Sequence, residues 1–420
     1  MTTTAAAPAL EAPVASRSRR PVGPYVVFIL LIGASIPWRS KTYYEGGLDS
    51  VVLAKAVLSL VALGLAVLVT FGRPVRPLRA APLIFLLCYL ACTMFGAWNA
   101  GYLIPGGVTA TRVLLVAVTV IVLAGVYSPY TMLGSLVAAL GTFVAVGAAT
   151  GIGSLAEGRL AGGIPPLHPN ELASGSAVVM LYCLWRVSAG QDTWVHLAVI
   201  AAAGGVLVAT GSRAALVAMA VASLIVVLHT QAIRMRTLIL GLALAPVALW
   251  VLAGTDLVRT LLFRDQTVER LSTLSNRTIA WQAALAPQDS PWQTWFGGGL
   301  QLKRIEVPGQ FWNVQILDSS WVSALVQAGR VGLVVCALWV LYSALTTLRS
   351  PAQLRALQLT LLLYLTLRGL LESGLFDAST SFILFFTTVM VTPVESLAPP
   401  GPTTTADQAL VPGRSQETLK

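Results

Sequence analysis

Arg159, Arg213, Arg277 and Asp318 are the residues whose types and settings point to chemistry. Each arginine lies at or beside the end of an apolar run, where a guanidinium can offer its fork of N–H donors to phosphate oxygens. Arg213 opens such a run in Ala209-Thr-Gly-Ser-Arg213, so the positive end of a helix adds to its charge. Arg277 falls in the first turn of a helix expected over 274–285. The dipole disfavours a cation there, and an anionic ligand would explain it. Asp318 stands where a polar stretch re-enters an apolar run, the carboxylate nearest a helix start among these arginines. The set suits group transfer from a phosphate-bearing donor, with Asp318 as general base toward a hydroxyl. Plainer uses exist for each: Arg213 can snorkel to head groups, Arg277 can sit on a solvated face, and Asp318 can form an inert ion pair.

Further residues extend the set. Asn170, in His168-Pro169-Asn170, is placed to cap a helix, with Pro169 barring extension from the other side. Trp281 follows Arg277 by one turn, on the apolar side of its helix near a membrane interface. Arg330, some 12 residues deeper than Asp318, and Arg368 lie within apolar runs, where ionisable groups are functional by default. Arg159, Asn170, Trp281, Arg330 and Arg368 are therefore expected to contact substrate. Gly297-Gly298-Gly299 allows close backbone approach but lacks the strand, helix and lysine of a phosphate loop. His168, His196 and His229 stand in separate segments, and Cys88, Cys92, Cys183 and Cys336 all fall in apolar runs as expected core side chains. No metal site, disulfide or cofactor is expected.

The elements that must position these residues are membrane helices. Hydrophobic residues make up 56% of the chain and charged ones 10%, against about a quarter charged in soluble proteins; mean hydropathy is +0.78. Windows of about 20 apolar residues predict an all-α polytopic protein with twelve spans, near 22–38, 51–71, 80–98, 108–127, 131–150, 170–187, 195–210, 213–230, 237–253, 320–348, 355–371 and 379–394. The first is expected to be a retained anchor. Residues 1–21 and 395–420, rich in Pro, Thr, Ser and Ala, are expected to be disordered cytoplasmic tails around a membrane domain at 22–394. With the N-terminus inside, Arg73, Arg76, Arg79, Arg186, Arg234, Arg236, Arg349 and Arg355 fall in inner loops, as the positive-inside rule requires. The net charge of +10 is accounted for by orientation, and no nucleic-acid partner is expected. Arg159, Arg213 and a large loop at 254–317 then face outward, where orientation does not explain their arginines.

In order and spacing, four elements resemble the O-antigen ligase and O-antigen polymerase superfamily: Arg159 to Asn170, the Thr210-Gly-Ser-Arg213 turn, Arg277 with Trp281, and Asp318 to Gly332. The resemblance covers roughly residues 110 to 392. It implies a multi-span glycosyltransferase of the bacterial cytoplasmic membrane, moving a glycan from an undecaprenyl-type diphosphate carrier to a hydroxyl of a glycan or glycolipid acceptor, with inversion and without a metal. Arg213 and Arg277 would clamp the diphosphate, and Arg159 would support them. Ligases of this kind open the last motif with a His-Asn pair whose His deprotonates the acceptor. Here Asp318 and Ser319 occupy those positions, and a carboxylate base suits inverting transfer.

Two other classes fit a helical membrane chain. A permease for an anionic or lipid-linked solute also gathers arginines at a mouth, but alternating access needs a site reachable from both faces. A scaffolding protein would leave Arg213, Arg277 and Asp318 without a task.

Overall fold

Helices occupy nearly every apolar run. The computed structural model describes residues 21–38, 50–191, 193–229, 277–286, 290–307 and 314–393. Among the described residues, eight α-helices precede the loop: α1 (Val22–Ser35), α2 (Ser50–Thr70), α3 (Ala81–Asn99), α4 (Leu103–Ala124), α5 (Pro129–Thr150), α6 (Pro169–Ser188), α7 (Thr193–Ala209) and α8 (Arg213–His229). Two short ones, α9 (Arg277–Leu285) and α10 (Pro291–Phe296), and an antiparallel hairpin of β1 (Arg304–Glu306) and β2 (Val314–Ile316) lie within the loop interval. Then come α11 (Ser320–Leu348), α12 (Ala352–Leu371) and α13 (Thr380–Met390). Six of the described helices, α2 to α5, α11 and α12, are long and apolar enough to cross a membrane, and α1, α7, α8 and α13 are shorter apolar helices. The span expected at 237–253, the loop stretch 254–276 and both tails lie outside the described residues.

Hydrocarbon supplies no hydrogen-bond partners, so polar side chains inside such helices must be satisfied locally. Thr119 bonds back to the Leu115 carbonyl at 2.7 Å, Ser176 to Leu172 at 2.9 Å and Thr388 to Leu384 at 2.7 Å. Aromatic packing joins the helices that carry the site. Trp339 of α11 is fully buried and meets Phe385 of α13 edge-on at 5.0 Å. Phe376, in the α12–α13 turn, packs on Tyr89 of α3 and Trp321 of α11. Three of the cysteines are buried as expected, whereas Cys88 is exposed on α3. Its face of α3 carries the exposed Ile84 and Leu87 as well.

α11 is broken at Gly329, whose φ of 68° and ψ of −167° interrupt the helix. The break would strand the carbonyls of Val326 and Gln327. The N–H groups of Gly298 and Gly299 fill that place, donating to them at 2.9 Å each. Gly297 and Gly329 lie against the opposing backbone, with no room for a Cβ on either. The glycine triplet is thus a backbone clasp on a discontinuous helix and not a phosphate loop.

The two ends of the bundle differ in charge. At one end Arg79 donates to the Pro393 carbonyl at 2.7 and 3.0 Å, and the Arg76 N–H to Gly125 at 2.6 Å. The α11–α12 turn with Arg349 and Arg355 belongs to the same end, tied to α6 by Trp185 donating to Gln353 at 2.9 Å. No described carboxylate lies there. Glu157, Glu171, Glu306, Asp318, Glu372 and Asp377, the acids among the described residues, occur on the loops and helix ends of the other side.

Candidate functional site

The carboxylate-bearing end holds a continuous chain of polar contacts. Arg159 donates from Nε to the Thr210 carbonyl at 2.7 Å and from Nη2 to Asn170 Oδ1 at 3.0 Å. Asn170 Nδ2 donates to Glu372 Oε1 at 2.6 Å, and Arg277 Nη2 reaches the same oxygen at 2.9 Å. Arg277 Nε lies 3.6 Å from Asp318 Oδ2. The Glu372 carbonyl accepts from the backbone N–H and hydroxyl of Ser320, at 3.1 and 2.8 Å. Side chains from five segments distant in sequence thereby form one network.

Local sequence explains how each is presented. α6 is capped by His168, whose Nδ1 accepts the Asn170 N–H at 3.3 Å, and Pro169 takes the first helical position, where no N–H is needed. Asn170 is therefore not the cap that the sequence suggested, and its side chain is free to bridge Arg159 and Glu372. Arg277 is the first residue of α9, as expected. Ser319 caps α11, accepting from the Val322 N–H at 3.4 Å, which leaves Asp318 just outside the helix. Arg213 opens α8 beyond the Thr210–Ser212 turn that Arg159 holds. The network thus joins the N-terminal ends of α6, α9 and α11 to the turn that opens α8. Helix N-termini carry partial positive charge, so the place favours an anion beyond what its arginines supply.

Asp318 and Glu372 differ in setting. Glu372 keeps 14% of its side-chain surface and holds both Arg277 and Asn170 on one oxygen, whereas Asp318 keeps 41% and has one long contact. Partial burial, then the neighbouring Glu372, raises the Asp318 pKa above the usual aspartate value, with Arg277 opposing. Burial lowers the His168 pKa; Glu372 opposes this, and Arg159, Arg277 and Arg368 reinforce it. A neutral His168 with Nδ1 accepting carries its proton on Nε2, so while it caps α6 it has no free lone pair to act as a base.

The remaining expected contacts lie apart. Arg368 is 6% exposed and donates to Ser381 Oγ at 2.7 Å, a turn below Glu372. Arg330 is stacked over Trp295 at 5.8 Å and does not join the network. It is not deep either: the Phe296–Gly297 backbone that packs on this break also touches Gly96, three residues from the end of α3. Trp281 is half-buried on α9, and its indole N–H has no partner among the described residues. Those residues also hold no group of His, Cys, Asp and Glu able to bind a metal ion.

Residues 197–337 match the model of a family described as O-antigen ligase. Over these residues, about a third of the chain, the protein is similar to that family. The match covers Arg213, Arg277, Trp281, Asp318 and Arg330, and stops short of Arg159, Asn170, Arg368 and Glu372. No curated protein matches the chain.

Sequence reasoning missed Glu372, the hub of the network. It follows the apolar run of α12 at a helix end, and the argument that singled out Asp318 applies to it equally. Also missed was the ion pair of Lys303 with Asp377, which joins the loop hairpin to the α12–α13 turn. Burial would raise the Asp377 pKa, but Lys303, then Arg112 and the Ala378 N–H, hold it below the usual value.

Proposed function

We propose that the protein transfers a glycan from a polyprenyl, undecaprenyl-type diphosphate to a hydroxyl of a glycan or glycolipid acceptor, at the outer face of a bacterial cytoplasmic membrane. The observation that carries this reading is the network running from Arg159 through Asn170 and Glu372 to Arg277 and Asp318. It puts a half-exposed carboxylate beside a fixed guanidinium where helix N-termini meet.

Asp318 takes the proton of the acceptor hydroxyl. The freed oxygen attacks the anomeric carbon from the side opposite the diphosphate, the bond to the diphosphate oxygen breaks, and the configuration inverts. Arg277 and Arg213 hold the charge that develops on the leaving polyprenyl diphosphate, as pre-positioned donors do for a departing anion. Glu372 keeps Arg277 from closing fully on Asp318, so the carboxylate stays available. Asn170 and Arg159 fix Glu372, and Trp281 offers a ring face to the sugar. Arg368 supports Glu372 from below. The reaction so written uses no metal and no cofactor.

The test is incubation of purified protein with a labelled sugar–diphosphate–polyprenol and an acceptor glycan. Release of polyprenyl diphosphate, lost in Arg277→Ala and Asp318→Ala at equal protein level, is the expected result. A permease releases none. Wild-type turnover in both variants would refute the assignment of these residues.

A further inference from the structure

A cavity of about 280 Å³ opens between the C-terminal end of α9, the loop helix α10 and α11. Its polar lining is Gln293, Thr294 and Arg330, and Leu285, Leu302 and Leu325 form apolar walls. Arg330 is exposed, and its recorded contact is the Trp295 ring; among the described residues it has neither hydrogen bond nor ion pair. Arg277 and Lys303, by contrast, both meet carboxylates. A guanidinium over an indole face keeps its N–H donors available to a ligand.

What lies below Arg330 indicates the occupant. Val334, Leu338, Leu341 and Leu345 are all exposed, and their spacing of four, four, three and four from Arg330 places them on one helix face. The break at Gly329 is level with the last turn of α3. From Arg330 to Leu348 α11 therefore runs about 28 Å at 1.5 Å per residue, close to the roughly 30 Å of a hydrocarbon core. Arg330 thus sits at head-group depth above an unpartnered apolar stripe.

We infer that this cavity binds the head group of an anionic phospholipid, its phosphate on Arg330, Gln293 and Thr294 and one acyl chain along the 334–345 face. The volume separates this occupant from the glycan donor. At about 280 Å³ it falls below the roughly 300–1,000 Å³ of sites for drug-sized ligands, room for a phosphate with a glycerol but not for a diphosphate-linked oligosaccharide. Arg277 and Leu285 are the first and last residues of α9, about 12 Å apart along the helix, so the lipid buttresses the far end of the helix that presents Arg277. The inference stands on membrane insertion and does not depend on the transfer reaction.

Photo-crosslinking in phosphatidylcholine nanodiscs tests it, using the full chain and a trace of phosphatidylglycerol with a diazirine midway along one acyl chain. Crosslinks should concentrate on 334–345 and be competed away by unlabelled phosphatidylglycerol. They should fall at least fivefold in Arg330→Gln and return in Arg330→Lys. Labelling of the exposed Leu60 and Leu68 on α2 should stay unchanged, which also shows the variants to be folded. Equal labelling in wild type and Arg330→Gln would overturn the inference. So would labelling that phosphatidylglycerol leaves intact, or that only a polyprenyl diphosphate removes.

Discussion

Glu372 holds two partners on one oxygen, and its loss would free both at once. Arg277 would then be left with Asp318 alone and would draw closer, turning the proposed base into an ion-pair partner. Groups that orient a reacting residue typically contribute about 10–100-fold when removed, so Glu372→Ala should cut transfer by about that factor at unchanged protein level. Glu372→Gln should fall between, because an amide oxygen still accepts from Asn170 but no longer neutralises Arg277. The pH profile separates Glu372 from the base itself. With its pKa raised by burial and by Glu372, Asp318 is protonated and inactive at a pH where an ordinary aspartate, near 3.9, is already ionised. The acid limb of kcat/KM should therefore lie above that value and move downward in Glu372→Gln; a limb that ignores this substitution would remove Asp318 from the role. Arg277 and Asp318 were legible because charge at a membrane mouth is costly without a use. Glu372 carries the same local signal as Asp318; what makes it the hub is contact with Asn170 and Arg277, which are remote in sequence and so not legible there.

Among the elements, the six described helices long and apolar enough to cross a membrane were legible from hydropathy alone, since a run of about 20 apolar residues has few other solutions in a membrane. The break in α11 was not. Its sequence reads as one 29-residue helix, and the interruption depends on Gly298 and Gly299 arriving from the loop to accept the duty of the lost helical bonds. Because Gly329 has φ of 68° and its Cβ would meet the Trp295–Phe296 backbone, Gly329→Ala should abolish folded, detergent-stable protein, with Gly297→Ala acting alike at the facing position. Size-exclusion chromatography of both variants checks this, with Gly64→Ala, which has open space around it, as the unaffected control. The hairpin is fastened at its other side by Lys303 and Asp377. Asp377 has a folded pKa below its unfolded one, so its contribution is complete above about pH 4 and disappears as pH falls through the lower, folded value. Removing one partner of a largely buried pair costs about 3 kcal/mol. Asp377→Asn should accordingly lower the thermal midpoint at neutral pH and lose the acid-dependent part of the melting curve.

For the whole molecule, the decisive property is that charge is sorted between the ends of the bundle. Arg73, Arg76, Arg79, Arg186, Arg349 and Arg355 stand at one end without a described carboxylate, while at the other end Arg277 lies between Asp318 and Glu372. Basic residues in short loops at span ends are retained on the cytoplasmic side. The crevice should then open outward, where a lipid-linked glycan is available for transfer. Single cysteines in a background without Cys88, Cys92, Cys183 and Cys336 test this, because Glu157 and Val75 are exposed at opposite ends. In intact cells a membrane-impermeant maleimide should modify Glu157→Cys and leave Val75→Cys untouched until the membrane is permeabilised. The reverse pattern would turn the crevice toward the cytoplasm. An outward-facing transferase would then be untenable even with every contact in the network intact, because Arg277 and Asp318 would face soluble nucleotide-sugar pools instead of a translocated lipid-linked glycan.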